Sequence, residues 1–318
     1  MYLSTTLICF NMKNITRRNF VKNTSSLLLF PLAKNNFYFK NNKPLLSFST
    51  LGCPDWSFDT IVHFAATNGY NGIEIRGIER EMYLPKCPVF SADKINDTMQ
   101  LVKDKRLHIV NLGSSAALHH SDAAERKKNL DEAKAFIDLA QQLHCSYIRV
   151  FPNDFPPGQD RNATMELIAK GLQELGDYAK NTNVTVLMET HGEVVKADDI
   201  VHIMQLAAHP KVGLVWDIVN MWSVTKEPPA QVYQKLKPYI HHAHIKDLSI
   251  VNGKELYTLL GQGISPVFAG IDVLYRNAYT GYYSFEWEKL WHPEIAEPEI
   301  ALADYPVKMR AHFKDLPE

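Results

Sequence analysis

Eight times along this chain a short apolar, β-rich run gives way to a longer segment with helical spacing, and that alternation constrains the fold more than any other feature. The runs lie at 45–51, 72–76, 107–112, 147–151, 184–189, 212–218, 240–246 and 282–287. Stretches such as 58–68, 123–143, 163–180, 197–208 and 229–236 lie between them, with apolar residues recurring every three or four positions, as amphipathic helices require. Eight strand–helix units in about 275 residues have the size and rhythm of a (β/α)8 TIM barrel of the α/β class. A doubly wound open sheet would carry a Gly-rich phosphate turn after its first strand, and Thr50-Leu51-Gly52-Cys53-Pro54 is not one. The expected organisation is a leader over 1–43 and one barrel over 44–318.

The leader differs from the body in charge. Residues 1–43 hold seven of the 34 Lys+Arg and none of the 35 Asp+Glu, so the rest of the chain is acidic on balance. Such a body lacks the concentrated basic surface that phosphate contacts need, which argues against a nucleic-acid partner. The run Thr16-Arg17-Arg18-Asn19-Phe20-Val21-Lys22 followed by Leu27-Leu28-Leu29-Phe30 resembles a twin-arginine export signal, with Met12 offering an alternative start. It implies export to the bacterial periplasm. The bland alternative is a basic arm on a cytoplasmic protein. No A-x-A cleavage site stands near Ala33, and no apolar run reaches the eighteen or so residues of a membrane span. Cys53, Cys87 and Cys145 lack metal-type spacing and read as free thiols.

In such a barrel the chemistry gathers at the C-terminal ends of the strands. Those ends carry Glu74 and Arg76, Asn111, Arg149, Glu189 with His191, Asp217 with Asn220, His242-Ala243-His244-Ile245-Lys246-Asp247, and Glu286-Trp287-Glu288. One carboxylate at a strand end can cap a helix or pair with a lysine. Three of them converging with an imidazole on one mouth demand a cation. Glu189, Asp217, His244 and Glu286 thus form a candidate shell for one divalent ion. Their oxygens and nitrogen suit Mn²⁺, Co²⁺ or Mg²⁺ and also accommodate Zn²⁺.

HxHxKD at 242–247, FEWE at 285–288 and GIEIRG at 72–77 resemble the xylose isomerase-like barrel superfamily, in particular its sugar phosphate isomerase/epimerase group. The resemblance runs from Leu45 to about Lys314. It implies the same four metal ligands, with Glu189 and Glu286 doubling as a catalytic acid/base pair that moves a proton through an enediolate of a sugar or keto-sugar. Glu74, Arg149, His191, Asn220, Lys246, Trp287 and Glu288 are then the candidate substrate contacts. His242 reads as support for the centre. Asn220 departs from relatives that carry a titratable His there, and no clustered phosphate cradle is evident. Trp216, Trp222, Trp287, Trp291, Phe151 and Phe155 are expected around the mouth, where aromatic faces suit a small carbohydrate. Three other readings share these residues: a lyase or dehydratase acting on a keto-sugar or 3-keto-glycoside, a non-catalytic exported sugar-binding protein, and an abasic-site endonuclease. The last would need more histidines on the early strands. No membrane partner is expected for the mature form, and association of copies through the outer helices stays open.

Overall fold

In this computed structural model residues 43–316 are described. The twin-arginine-like run lies outside them. Eight parallel strands close into a barrel: β1 (Leu45–Ser49), β2 (Gly72–Ile75), β3 (His108–Ala117), β4 (Tyr147–Phe151), β5 (Thr185–Glu189), β6 (Val212–Asp217), β7 (Ile240–Ile245) and β10 (Tyr282–Phe285). β1 pairs with both β2 and β10, so no barrel edge is left open. The outer ring consists of α1 (Phe58–Thr67), α2 (Ile95–Asp104), α3 (Ala123–Gln142), α4 (Arg161–Ala179), α5 (Ala197–Ala207), α6 (Ile218–Thr225), α7 (Pro229–Leu236), α8 (Val267–Arg276) and α9 (Pro298–Asp315). No described helix is long and apolar enough to cross a membrane. Cys53, Cys87 and Cys145 are free and buried.

Local chemistry starts several of these elements. Asp122 accepts the Ala124 and Glu125 N–H groups at the head of α3, and Asp160 accepts that of Ala163 at the head of α4. Each buried strand sends alternate side chains to opposite sides. Val186 and Met188 of β5, Leu214 and Trp216 of β6 and Ala243 and Ile245 of β7 pack in the apolar layer that includes the helices, and all are under 1% exposed. The residues between them face the barrel axis.

Two features depart from the sequence expectation. β3 extends to Ala117, five residues past the expected end, with a register irregularity between Gly113 and Ala117. After β7 the chain forms an antiparallel hairpin, β8 (Asp247–Val251) and β9 (Lys254–Thr258), before reaching α8. Its two-residue turn is Asn252-Gly253, with φ of 52° and 75°, the positive pair that such hairpins favour.

Candidate active site

The strand ends bring four of the expected side chains together. Glu189, Asp217, His244 and Glu286 each offer a ligand atom within 4.8 Å of the others, and all four residues are buried. His244 Nδ1 lies 3.4 Å from Glu189 Oε1, 3.3 Å from Glu286 Oε1 and 4.0 Å from Asp217 Oδ2.

Backbone geometry aims each group. Asp217 closes β6 and opens α6: its Oδ1 accepts the Val219 and Asn220 N–H groups as a helix cap, at 3.0 and 2.8 Å. That leaves Oδ2 for the cluster. Thr190 Oγ1 accepts the Asp217 N–H and donates to its carbonyl, which pins the ends of β5 and β6. His244 is held from below, where its Nε2 donates to Glu74 Oε1 at 3.0 Å. His242 Nε2 and Ser284 Oγ donate to the same carboxylate at 2.8 and 3.0 Å. A carboxylate accepts only, so the His244 proton sits on Nε2 when the ring is neutral, and Nδ1 presents its lone pair upward.

Burial pushes the Glu189 carboxyl up, as does neighbouring Glu286, yet Arg149 and His244 outweigh both and hold it below the usual range. Burial acts likewise on Glu286, where His244 and then Lys246 hold it well below. For Asp217 burial prevails over Lys246, with Glu286 and Glu189 adding to the rise, and its pKa is pushed up to about 7. Burial lowers the His244 imidazole, but Glu286, Glu74 and Glu189 carry it well above its ordinary value.

The donor set fits a divalent ion. His244 Nδ1 is buried without a hydrogen bond, Glu189 Oε2 and Asp217 Oδ2 face the cations Arg149 and Lys246, and the set joins three carboxylates to one imidazole. A second group, Glu74, His242 and His244, also has metal-like spacing. There the two Nε2 atoms already contact the Glu74 oxygens in hydrogen-bond geometry, so this group supports His244 instead of competing for the ion.

The expected substrate contacts separate into two sets. Lys246 is buried at the centre, with Nζ 2.8 Å from Asp217 Oδ2, 2.8 Å from Glu286 Oε2 and 2.6 Å from Glu288 Oε1. Arg149 Nη1 lies 3.3 Å from Glu189 Oε2, and its guanidinium stacks 3.8 Å from the Phe151 ring. His191 packs on Phe151 at 4.5 Å and pairs through Nδ1 with Asn153 Oδ1 at 3.1 Å. Asn220 lies in the first turn of α6, with its N–H given to Asp217. Glu74 and Trp287 depart from the expectation. Glu74 is fully buried under His244, with its oxygens taken by two imidazoles and a serine, so it holds His244 from beneath.

Trp287 follows Glu286 on an alternating strand end, so one faces the axis and the other faces away. It stacks on Phe285 at 5.6 Å and donates from Nε1 to Ala296 O. Trp216 likewise packs outward against Tyr233, Trp222 lies under Lys226, Phe155 lies under Arg161, and Trp291 is 55% exposed. The expected ring of aromatics therefore reduces to Phe151, joined by a residue the sequence reading missed. Tyr257, from β9, places its ring 5.4 Å from Lys246 Nζ, and the Asn252-Gly253 turn was the signal that could have revealed it. Asp247 anchors the hairpin, with Oδ2 accepting the Gly261 and Gly263 N–H groups at 2.9 Å each. Replacing Trp287 with Ala is expected to cost about 3–5 kcal/mol in urea unfolding, with substrate KM unchanged. A raised KM at unchanged stability would return Trp287 to the mouth.

The model of the xylose isomerase-like TIM barrel family matches residues 62–304. The chain belongs to that family. Among curated relatives, the 3-dehydroshikimate dehydratase of Bacillus anthracis is 24% identical over 248 residues, covering 73% of this chain and 85% of the relative. The fructoselysine 3-epimerase of Shigella flexneri is 24% identical over 232 residues, covering 70% and 82%. These relatives are enzymes. Among solved structures, the IOLI protein with a bound zinc atom superposes with a TM-score of 0.70 at 17% identity, covering 86% of this chain and all of that one. That likeness concerns the fold.

Proposed function

We propose that this family member is a divalent-metal-dependent enzyme that isomerises or epimerises a sugar or keto-sugar, with Glu189 and Glu286 as its acid/base pair. The observation that carries the reading is their placement, with Glu189 Oε1 3.4 Å and Glu286 Oε1 3.3 Å from one His244 Nδ1. A divalent ion held by Glu189, Asp217, His244 and Glu286 would polarise a carbonyl and the neighbouring hydroxyl, acidifying the C–H between them. Mn²⁺, Co²⁺ and Mg²⁺ suit these donors best, and the zinc in the IOLI protein keeps Zn²⁺ in the set.

Glu189 and Glu286 are both ionised in this setting, so either can take the proton from carbon, and the other returns it on the opposite face. Each has its own cation, Arg149 for Glu189 and Lys246 for Glu286, which keeps the two carboxylates distinct in basicity. Lys246 Nζ sits where negative charge on a substrate oxygen can be met, with Tyr257 beside it. Asp217 and His244 hold position, one through its helix cap and one through Glu74.

A second reading draws support from the dehydratase relative and from Glu288, which reaches Lys246 at 2.6 Å and makes a proton path to a departing hydroxyl. The two readings part in one experiment. Mn²⁺-loaded protein incubated in D₂O with aldoses, ketoses and 3-keto-glycosides is expected to give a new sugar isomer with deuterium at the α-carbon. Elimination products would move the assignment to dehydratase, and no exchange or conversion with any member would reject the isomerase reading. The twin-arginine-like run supports placing this activity in the periplasm, which a cell-fractionation blot of the tagged protein would test.

A further inference from the structure

Two arginines approach each other over Gly113, beside Glu189. Arg76 follows β2 directly and Arg149 lies in β4, and they are 6% and 1% exposed. The glycine between them makes this approach feasible: a Cβ at 113 would stand 2.7 Å from Arg76 Cδ and 2.8 Å from Arg149 Nη2. Arg76 is steadied from one side, where Nη1 donates to Gly113 O at 3.3 Å and Nη2 to Ser115 Oγ at 2.9 Å. It forms no ion pair among the described residues. The Nε and Nη1 atoms of Arg149 are buried without a hydrogen bond.

Burial and the neighbouring Arg149 charge both push the Arg76 pKa down, so two buried cations this close call for an anion. The carboxylate paired with Arg149 is Glu189, 3.3 Å away, and that group is already a candidate metal ligand, while Arg76 feels Glu132 before Glu189. Glu132 Oε1 accepts the Ser115 N–H, which occupies one of its oxygens. Once Glu189 shares its charge with a divalent ion, the arginine pair is left short of negative charge. A planar fork matches a carboxylate in geometry as well as in sign.

We propose that Arg76 and Arg149 form a carboxylate-binding subsite beside the metal centre, so that the substrate is an acidic polyhydroxylated ketone or sugar acid, not a neutral sugar. The inference rests on the metal-centre reading above, and it names the substrate class for that site. The carboxylate lies toward β2–β4, while the carbon undergoing proton transfer lies toward β5–β10.

Calorimetry on the Mn²⁺-loaded full chain tests this with two matched pairs of probes, shikimate with its methyl ester and D-glucuronate with its methyl ester. Within each pair the ring is the same and only the charge differs. At least one acid is expected to bind tenfold or more tightly than its ester. Arg76→Met is expected to erase that difference while the Mn²⁺ affinity, followed by electron paramagnetic resonance, stays within about twofold, because Arg76 touches no candidate ligand of the ion. Should Arg76→Met fail to fold, Arg76→Lys carries the test: it keeps the charge but loses the fork, and the preference is expected to fall at least threefold. Neither acid outbinding its ester in the wild type, or a preference that survives at position 76, overturns the subsite. A wild type that takes up no Mn²⁺ overturns the metal centre instead. The acid-to-ester ratio is then read on the same protein and decides the subsite separately.

Discussion

Glu286→Gln is expected to lower turnover by about 10²–10⁴-fold while the barrel melts as a folded protein, since that range is what a positioned proton-transfer group contributes. The amide keeps the shape of the carboxylate but cannot take a proton from carbon. Lys246 loses one of three acidic partners in this variant and keeps Asp217 and Glu288, so its charge stays compensated in the buried centre. Glu288→Gln is the matched control, because it also takes one acid from Lys246 but leaves Glu286 beside His244. The loss should therefore be much larger at 286 than at 288. Turnover of the two variants at saturating Mn²⁺, with circular dichroism melts, checks this. Full activity in Glu286→Gln would remove that residue from the chemistry.

The contrast between 286 and 287 also explains what could be read without coordinates. Glu189, Asp217 and Glu286 were legible because each ends an apolar run, and a barrel sends the ends of such runs to one mouth. His244 and Lys246 follow from the same rule with a period of two. Applied strictly, that period also turns Trp287 and Trp216 outward, away from the mouth where carbohydrate stacking would want them. The role of Glu74 was not legible. Its partners His242 and His244 lie 168 and 170 positions away, and only barrel closure brings β2 and β7 side chains together across the axis. The approach of Arg76 and Arg149 over Gly113 was hidden for a different reason, since it depends on a side chain that Gly113 lacks. The hairpin after β7 was legible in principle, because Asn252-Gly253 between apolar residues is a strong turn signal.

Metal affinity is expected to rise steeply with pH, by up to about a hundredfold per pH unit where both Asp217 and His244 hold protons. The sign follows from two of the four candidate ligands. Burial pushes the Asp217 carboxyl up to about 7, so below that pH it holds a proton an incoming cation must displace. His244, despite burial, is carried well above the ordinary imidazole value by Glu286, Glu74 and Glu189, so its Nδ1 also holds a proton around neutrality. Glu189 and Glu286 are held below the usual carboxylate range and release none. Each of the two ligands that still holds a proton gives it up when the ion binds, and each proton released multiplies the affinity tenfold per pH unit. The metal-free protein has the opposite dependence. Both groups bind protons more tightly folded than unfolded, so their stabilising contribution is present on the acid side. It is lost as pH rises through about 7 for Asp217 and through the raised pKa of His244. Added Mn²⁺ should therefore raise the melting temperature more at pH 8 than at pH 6. Titrations of Mn²⁺ at both values, repeated in two buffers of different ionisation enthalpy, give the affinity and the proton count together. An affinity that stays flat between pH 6 and 8 would mean that the ion does not displace protons from Asp217 and His244, and would place it elsewhere.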